Sequence, residues 1–210
     1  MIMKSNYLTI GIDLDNTIIR YDKLIYEIAV EKGLIPEDAD KNKKKIRNHI
    51  RTLPGGEVEW QKIQGMIYGR KIFLAEPFEG LKDFLKRCRK TSYAVYVISH
   101  KTQFANYDDT QTDLRVAAHR WLETHITDWK GQQLIEKESV FFGGTRQEKI
   151  AYISALRCDW FIDDLEETFL ESSFPGHTRR ILFGNHGGKI SGPIDVCPTW
   201  ADVTEKVFGV

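Results

Sequence analysis

Short apolar runs recur along the chain, and segments with a helical pattern separate most of them. Five runs rich in Val, Ile, Phe and Tyr lack strict polar alternation, which is typical of strands that are covered on both faces. These predicted strands cover residues 7–13, 93–99, 140–142, 160–163 and 180–183. Three intervening segments place apolar side chains three or four positions apart, as amphipathic helices do. These predicted helices cover residues 81–90, 113–125 and 148–156. Strands and helices in alternation predict right-handed crossovers, a parallel sheet and the α/β class.

The region after the first predicted strand breaks this alternation. Between positions 20 and 76 the apolar spacing indicates helices and no strand. These predicted helices cover residues 18–32, 40–53 and 57–71. Gly33 follows the first helix and Pro54 the second, and both residue types commonly end helices. We therefore predict a small α-helical insert over residues 20–76, within a core made of residues 1–19 and 77–210.

The composition limits the classes of function. Lys plus Arg and Asp plus Glu both number 30, so the formal net charge is zero, which disfavours nucleic acid or a membrane surface as the main partner. The three cysteines form neither a CxxC pair nor the even-numbered framework that is typical of secreted disulfide-rich proteins. The first residues lack the pattern of a secretory signal, and no apolar run reaches a membrane-spanning length. We therefore expect a cytoplasmic protein.

Pairs of acidic side chains stand at the ends of two predicted strands. Asp13 and Asp15 follow the first strand, and Asp163 and Asp164 end the fourth. The carboxyl ends of parallel strands meet at one edge of a sheet, so we expect these four side chains to lie close together. For the first pair taken alone, a solvated strand end or an Asx turn before a helix is an equally simple interpretation.

Two further polar residues extend this pattern. Ser99 ends the second predicted strand, and Lys149 lies at the start of the helix before the fourth. Together with the segment DLDNT at residues 13–17 and the later acid pair, they follow the order of the four motifs of the haloacid dehalogenase (HAD) superfamily. The chain resembles that superfamily from about residue 7 to residue 183, and the predicted insert resembles its cap between the first and second motifs. The resemblance implies a Rossmann-like parallel sheet and a Mg²⁺-dependent phosphohydrolase.

The resemblance also implies a role for each matched residue. Asp13 would be the nucleophile that forms an aspartyl-phosphate, and Asp15 would protonate the leaving oxygen and then activate water. A carboxylate suits the first role because its pKa of roughly 4 leaves it ionised at neutral pH without the help of a base. The implied phosphate-binding residues are Thr17, Ser99 and Lys149. The implied Mg²⁺ site consists of Asp13, Asp15 through its backbone carbonyl, Asp163 and Asp164.

Two of the phosphate-binding assignments have alternatives. Ser99 could be a packed hydroxyl at the end of a strand. Lys101, two residues further on, is a rival cation for the phosphoryl oxygens, in which case Lys149 is a surface charge at the start of a helix.

A helical lid over the site would suit a small phosphorylated metabolite better than a polymer, because lids exclude water and contact the non-reacting part of a substrate. We therefore predict a small-molecule phosphatase. A phosphomutase of the same superfamily is the nearest alternative, since it forms the same aspartyl-phosphate. A non-catalytic binding protein on the same fold is the alternative of a different class. Neither the identity of the metabolite nor the oligomeric state follows from these motifs.

Overall fold

The computed structural model describes residues 8–187 and 190–209, and a six-stranded parallel sheet forms its largest element. In order across the sheet, its strands are β5 (Val140–Gly143), β4 (Ala94–His100), β1 (Thr9–Ile12), β6 (Trp160–Asp163), β7 (Arg179–Phe183) and β8 (Ile194–Cys197). The predicted α/β class is confirmed, and five of these strands match predicted ones; Tyr7, the first residue of the first predicted strand, lies outside the described residues. The edge strand β8 was not predicted.

Two short strands, β2 (Ile19–Arg20) and β3 (Glu76–Pro77), form a separate two-stranded sheet. The α-helices are α1 (Asp22–Glu31), α2 (Lys43–Thr52), α3 (Gly56–Tyr68), α4 (Leu81–Lys90), α5 (Leu114–His125), α6 (Arg146–Ala155), α7 (Glu166–Phe169) and α8 (Trp200–Phe208). Single 3₁₀ turns lie at Ile72–Leu74 and Lys137–Ser139. Across the described ranges no helix is both long enough and apolar enough to span a bilayer.

The chain divides into two compact units. The first, which we call the sheet unit, contains the chain up to Ile18, Pro77–Lys101 and the chain from Ile126 onwards. The second, which we call the helical unit, contains Ile19–Glu76 and Thr102–His125. The chain therefore enters the helical unit twice, once after β1 and once after β4.

The core of the sheet unit explains why its strands read as continuous apolar runs. Residues of β4, β6 and β7 form one buried cluster with α6, α7 and the segments that follow them. The cluster consists of Ile98, Ile150, Ile153, Cys158, Phe161, Phe169, Phe174 and Leu182. Because α6 contributes Ile150 and Ile153 to this cluster, the helix is held against the sheet at a fixed rotation.

The helical unit differs from the predicted insert in one respect. The unit's first segment runs from residue 19 to residue 76, beside the predicted insert 20–76. The unit also contains α5 and the loop before it, which the sequence interpretation placed in the core. The side chains of α5 that are buried include Leu114, Trp121 and Leu122. The helix packs on α3 and on the Ile72–Leu74 turn, which explains its place in this unit.

Candidate active site

Asp13 lies directly after the central strand β1. That strand has a parallel neighbour on each side, with Ile12 in register with Val97 of β4 and with Ile162 of β6. The Asp13 amide donates a hydrogen bond to the Ile162 carbonyl oxygen at 2.8 Å, so the main chain of Asp13 is fixed against the strand that ends at Asp163. This register brings two of the predicted site residues to the same edge of the sheet, and the Asp13 residue is only 5% exposed there.

Lys149 reaches the site from α6, and the turn before this helix determines where the helix begins. The Thr145 side chain caps α6 by accepting a hydrogen bond from the Glu148 amide, and the Glu148 carboxylate accepts one from the Gly144 amide. A Cβ atom on Gly143 would lie 2.8 Å from the backbone nitrogen of Lys149, which is too close. Only glycine therefore lets β5 end this close to the first turn of α6.

Lys149 is buried between two of the predicted carboxylates. Its Nζ donates hydrogen bonds to Asp13 Oδ1 at 2.6 Å and to Asp163 Oδ2 at 2.7 Å. The other oxygen of Asp163 accepts a hydrogen bond from the Leu165 amide at 3.0 Å. Asp163 is fully buried and Lys149 is 3% exposed. A buried ammonium needs such partners, because an unpaired one is costly to remove from water.

Burial and neighbouring charges have opposite effects on the pKa values of Asp13 and Lys149. The pKa of Asp13 is raised to about 6: burial raises it most, the Lys149 ammonium opposes this, and the like charges of Asp163 and Asp15 raise it further. Burial lowers the pKa of Lys149, but the two carboxylates more than offset this and hold that pKa above its usual range. When both carboxylates are ionised, one ammonium does not neutralise them, so the site favours a further cation.

The donor atoms present fit a divalent metal ion. Carboxylate oxygens of Asp13, Asp163 and Asp164 all lie within 4.8 Å of one another. Hard oxygen donors at this separation suit Mg²⁺, which prefers oxygen ligands and keeps part of its hydration shell. Of the four residues predicted for the metal, these three are thus brought together. Asp15 was predicted to contribute through its backbone carbonyl, and that contribution stays a prediction.

The Asp15 carboxylate has a different partner. Its Oδ2 accepts a hydrogen bond from Lys101 Nζ at 2.7 Å. The two lysines that the sequence left as rivals therefore occupy different positions, Lys149 beside Asp13 and Asp163, and Lys101 beside Asp15. The sequence interpretation noted Lys101 as a candidate cation but did not identify this pairing, because no local pattern links residues that lie so far apart along the chain.

The two predicted phosphate-binding hydroxyls are both buried. Ser99 is 1% exposed at the end of β4, where it is in register with Phe142 of β5. Thr17 is fully buried, and its hydroxyl has no hydrogen-bond partner among the described residues. Between Asp15 and Thr17 the chain turns at Asn16, whose φ of 64° is a left-handed conformation that asparagine tolerates better than most residues. An unpartnered buried hydroxyl is costly, and the phosphate-binding role of Thr17 stays a prediction.

No model of a known protein family matches the chain. No curated protein matches it either. Solved structures, in contrast, match it over nearly its whole length. A HAD family hydrolase from Deinococcus radiodurans R1, solved with bound phosphate and sodium, has a TM-score of 0.57 at 10% identity, over 98% of this chain and 97% of that one.

Two further structures are similar in the same way. A predicted phosphoglycolate phosphatase from Haemophilus somnus 129PT has a TM-score of 0.54 at 12% identity, over 96% of this chain and 98% of that one. A HAD-superfamily hydrolase from Ehrlichia chaffeensis has a TM-score of 0.51 at 13% identity, over 96% of both chains. The chain therefore has the fold of the HAD-superfamily hydrolases, and the resemblance noted from its motifs is confirmed at the level of the fold. Identities this low show the fold and not the reaction.

Proposed function

We propose that the protein is a Mg²⁺-dependent phosphohydrolase that acts on a small phosphorylated metabolite through an aspartyl-phosphate intermediate. The observation that supports this most strongly is the convergence of Asp13, Asp163 and Asp164 beside Lys149 at the carboxyl edge of the sheet. A buried carboxylate, a fixed ammonium and a cluster of oxygen donors are the groups that phosphoryl transfer requires.

In the first step, one carboxylate oxygen of Asp13 forms a bond to phosphorus while the bond from phosphorus to the leaving oxygen breaks. In this proposal the ion pair with Lys149 orients Asp13 before the attack, and the same ammonium stabilises negative charge on the phosphoryl oxygens. The Ser99 and Thr17 hydroxyls add hydrogen bonds to those oxygens.

Asp15 is the proposed acid–base residue and transfers a proton in each of the two steps. It gives a proton to the leaving oxygen when the phosphoenzyme forms, and it then accepts a proton from the water that attacks phosphorus and releases phosphate from Asp13. Asp13 and Asp15 are two residues apart and have different partners, which is consistent with two distinct roles.

Asp13, Asp163 and Asp164 would hold Mg²⁺, with the backbone carbonyl of Asp15 as a further ligand. When bound, the ion supplies positive charge that reduces the repulsion between the Asp13 carboxylate and an anionic phosphoryl group. The same three carboxylates would otherwise repel the substrate.

The helical unit is the proposed source of substrate selectivity. The chain enters it after Ile18, one residue beyond Thr17, and again after Lys101, two residues beyond Ser99. Segments that directly follow catalytic motifs are well placed along the chain to respond to a bound substrate. This organisation favours a small molecule over nucleic acid or a membrane as the substrate.

Turnover of p-nitrophenyl phosphate tests the proposal directly. We expect activity with Mg²⁺, loss of activity in excess chelator, and recovery when Mg²⁺ is restored. Undiminished turnover in excess chelator would contradict the metal dependence. Phosphorylated sugars, nucleotides and small acids, assayed under the same conditions, would then identify the substrate class, while transfer of phosphate between positions of a sugar without its release would indicate a mutase instead.

A further inference from the structure

The ion pair between Lys101 and Asp15 is much less exposed to solvent than a surface lysine–aspartate pair of the same unit. The Lys101 side chain is 2% exposed and the Asp15 side chain 17%. The pair between Lys206 and Asp195, which is also in the sheet unit, has side chains that are 42% and 43% exposed. Water competes weakly for a buried ammonium, so the Lys101 side chain is held at the Asp15 carboxylate much more firmly than an exposed lysine would be.

The main chain of Lys101 is fixed as well. Lys101 follows β4, and its amide donates a hydrogen bond to the Gly143 carbonyl oxygen of β5 at 2.9 Å. The preceding residue, His100, is in register with Gly143, so Lys101 continues the pairing of the two strands. A side chain that starts from a fixed main chain and ends in a buried ion pair has few rotamers available, which is what holding another group in place requires.

Each of the two buried lysines contacts at least one carboxylate of the proposed site. Lys149 contacts the proposed nucleophile Asp13 and the proposed metal ligand Asp163. Lys101 contacts Asp15, which is the proposed acid–base residue. The proposed nucleophile and the proposed acid–base residue thus each have a buried ammonium beside them.

We infer that Lys101 is a positioning residue that holds the Asp15 carboxylate in its working orientation. This inference rests on the proposed function, because it assigns to Lys101 an effect on the steps that use Asp15. Lys101 itself forms and breaks no covalent bond. In the dephosphorylation step, water forms the new bond to phosphorus, the bond between phosphorus and Asp13 breaks, and Asp15 takes the proton of the water. A misplaced Asp15 slows that proton transfer without preventing Asp13 from attacking phosphorus.

The consequence is a specific kinetic signature. p-Nitrophenolate is a good leaving group and needs little protonation. The transfer of the phosphoryl group from p-nitrophenyl phosphate to Asp13 should therefore depend only weakly on Asp15. Release of phosphate from Asp13 needs the water to be activated, so it should depend strongly on Asp15. Loss of Lys101 should therefore leave a rapid first turnover and slow the later ones.

The experiment uses Lys101→Met, which keeps the length of the side chain and removes the ammonium. With p-nitrophenyl phosphate and Mg²⁺, we expect a burst of one p-nitrophenolate per enzyme, followed by steady turnover that is slower than that of the wild type. The decrease should be about tenfold or more, up to the roughly 10²–10⁴-fold that acid–base catalysis supplies. Lys101→Arg, which restores a cation, should recover much of the rate. Lys206→Met, which removes the exposed lysine of the pair with Asp195, should give the wild-type burst and steady rate.

A merely structural role is distinguished by a double-mutant cycle. If Lys101 acts through Asp15, then Lys101→Met should have no further effect on the steady rate in the Asp15→Asn background. Equal decreases in both backgrounds would overturn the inference, as would a wild-type burst and steady rate in Lys101→Met alone. Lys101→Gln serves the same tests if Lys101→Met does not fold. The wild-type protein distinguishes the two proposals. If it neither turns over p-nitrophenyl phosphate nor forms a phosphoenzyme, the proposed function and this inference are both overturned. If it is active and Lys101→Met is unaffected, the inference alone is overturned.

Discussion

The indole N–H of Trp121 donates a hydrogen bond to the carbonyl oxygen of Ala75 at 2.9 Å. These residues lie in the two different segments of the helical unit, so the second segment completes the packing of the first. The unit therefore requires both Ile19–Glu76 and Thr102–His125.

The first prediction follows from this packing. Replacement of residues 19–76 alone by a short Gly/Ser linker should give an aggregation-prone protein, because α5 loses the partners that cover Trp121 and Leu122, each worth about 1.5–3 kcal/mol of burial. The Phe78 amide donates a hydrogen bond to the Ile18 carbonyl oxygen. The two ends of the deletion are therefore close enough for a short linker to join them. Removal of residues 102–125 as well should restore a soluble protein with a cooperative thermal transition. Size-exclusion chromatography and circular dichroism measure this, and a well-behaved single deletion would contradict the two-segment unit.

The second prediction separates the two aspartates of the first motif. Asp13→Asn should form no covalent phosphoenzyme, because a neutral amide cannot attack phosphorus to give the acyl phosphate. Asp15→Asn should still be phosphorylated by p-nitrophenyl phosphate, but hydrolysis should slow by about 10²–10⁴-fold and the phosphoenzyme should accumulate. Intact-protein mass spectrometry detects the added phosphoryl group. An adduct on Asp15 would reverse the assignment, and an active wild type with no adduct in either variant would indicate direct attack by water.

The third prediction concerns the metal site. Asp164→Asn should raise the Mg²⁺ concentration needed for half-maximal activity by roughly 10–100-fold, the usual cost of losing a residue that holds a metal-bound water or orients a direct ligand. Asp163→Asn should do the same and should also change the melting temperature, since Lys149 then loses one of its two carboxylate partners. Asp159→Asn is the matched control, because Asp159 precedes β6 and accepts a hydrogen bond from the Thr9 amide. An unchanged Mg²⁺ requirement in Asp163→Asn and Asp164→Asn would contradict the proposed ligands.

The fourth prediction uses the unpartnered hydroxyl of Thr17. Thr17→Val keeps the shape of the side chain, so the free energy of unfolding should be unchanged or higher by up to about 1–3 kcal/mol. Inhibition by inorganic phosphate should weaken if the hydroxyl binds phosphoryl oxygens. In the control Thr178→Val, a hydroxyl that donates to the Cys158 carbonyl oxygen is lost, so stability should fall by about 0.5–1.5 kcal/mol without a change in phosphate inhibition. Unchanged phosphate inhibition in Thr17→Val would remove this residue from the phosphate site.

The fifth prediction concerns the three free cysteines. Burial raises the pKa of Cys88 and of Cys158 to about 12 and that of Cys197 to about 11. A pKa of about 12 leaves about one thiol in 10⁴ ionised at pH 8, and the thiolate is the reactive form. The native protein should therefore react very slowly with Ellman's reagent, with Cys197 first, and all three thiols should react promptly in guanidinium chloride. Rapid labelling of Cys88 or Cys158 in the native protein would contradict their burial.

Local sequence patterns predicted the continuous apolar strands well, because strands covered on both faces have little freedom in composition. The edge strand β8 was missed because its sequence IDVC is short and Cys197 is the one buried residue in it. Helix α8 was also missed, although Thr199 and Asp202 form a capping box that marks its start.

The site shows a different limit of sequence-based reasoning. The order of the motifs was sufficient to select Asp13, Lys149 and Asp163 as candidates, and the structure brings these three together. The apolar spacing of α5 identified a helix but could not tell which unit that helix packs against. The partner of Asp15 was equally hidden, because tertiary contacts and not local spacing bring Lys101 to it.

The central position of β1 in the sheet has a consequence for folding during synthesis on the ribosome. β1 is synthesised well before its neighbours in the sheet, which begin only at Ala94 and Trp160. Pairings between such distant segments form slowly, and an unpaired apolar strand is prone to aggregate. A ribosome that stalls before Trp160 would thus hold a nascent chain whose β1 has one edge uncovered, and chaperones would be expected to bind it there. The proposed metal site cannot assemble until Asp163 and Asp164 have emerged from the ribosomal tunnel, so we expect incomplete chains to lack phosphatase activity.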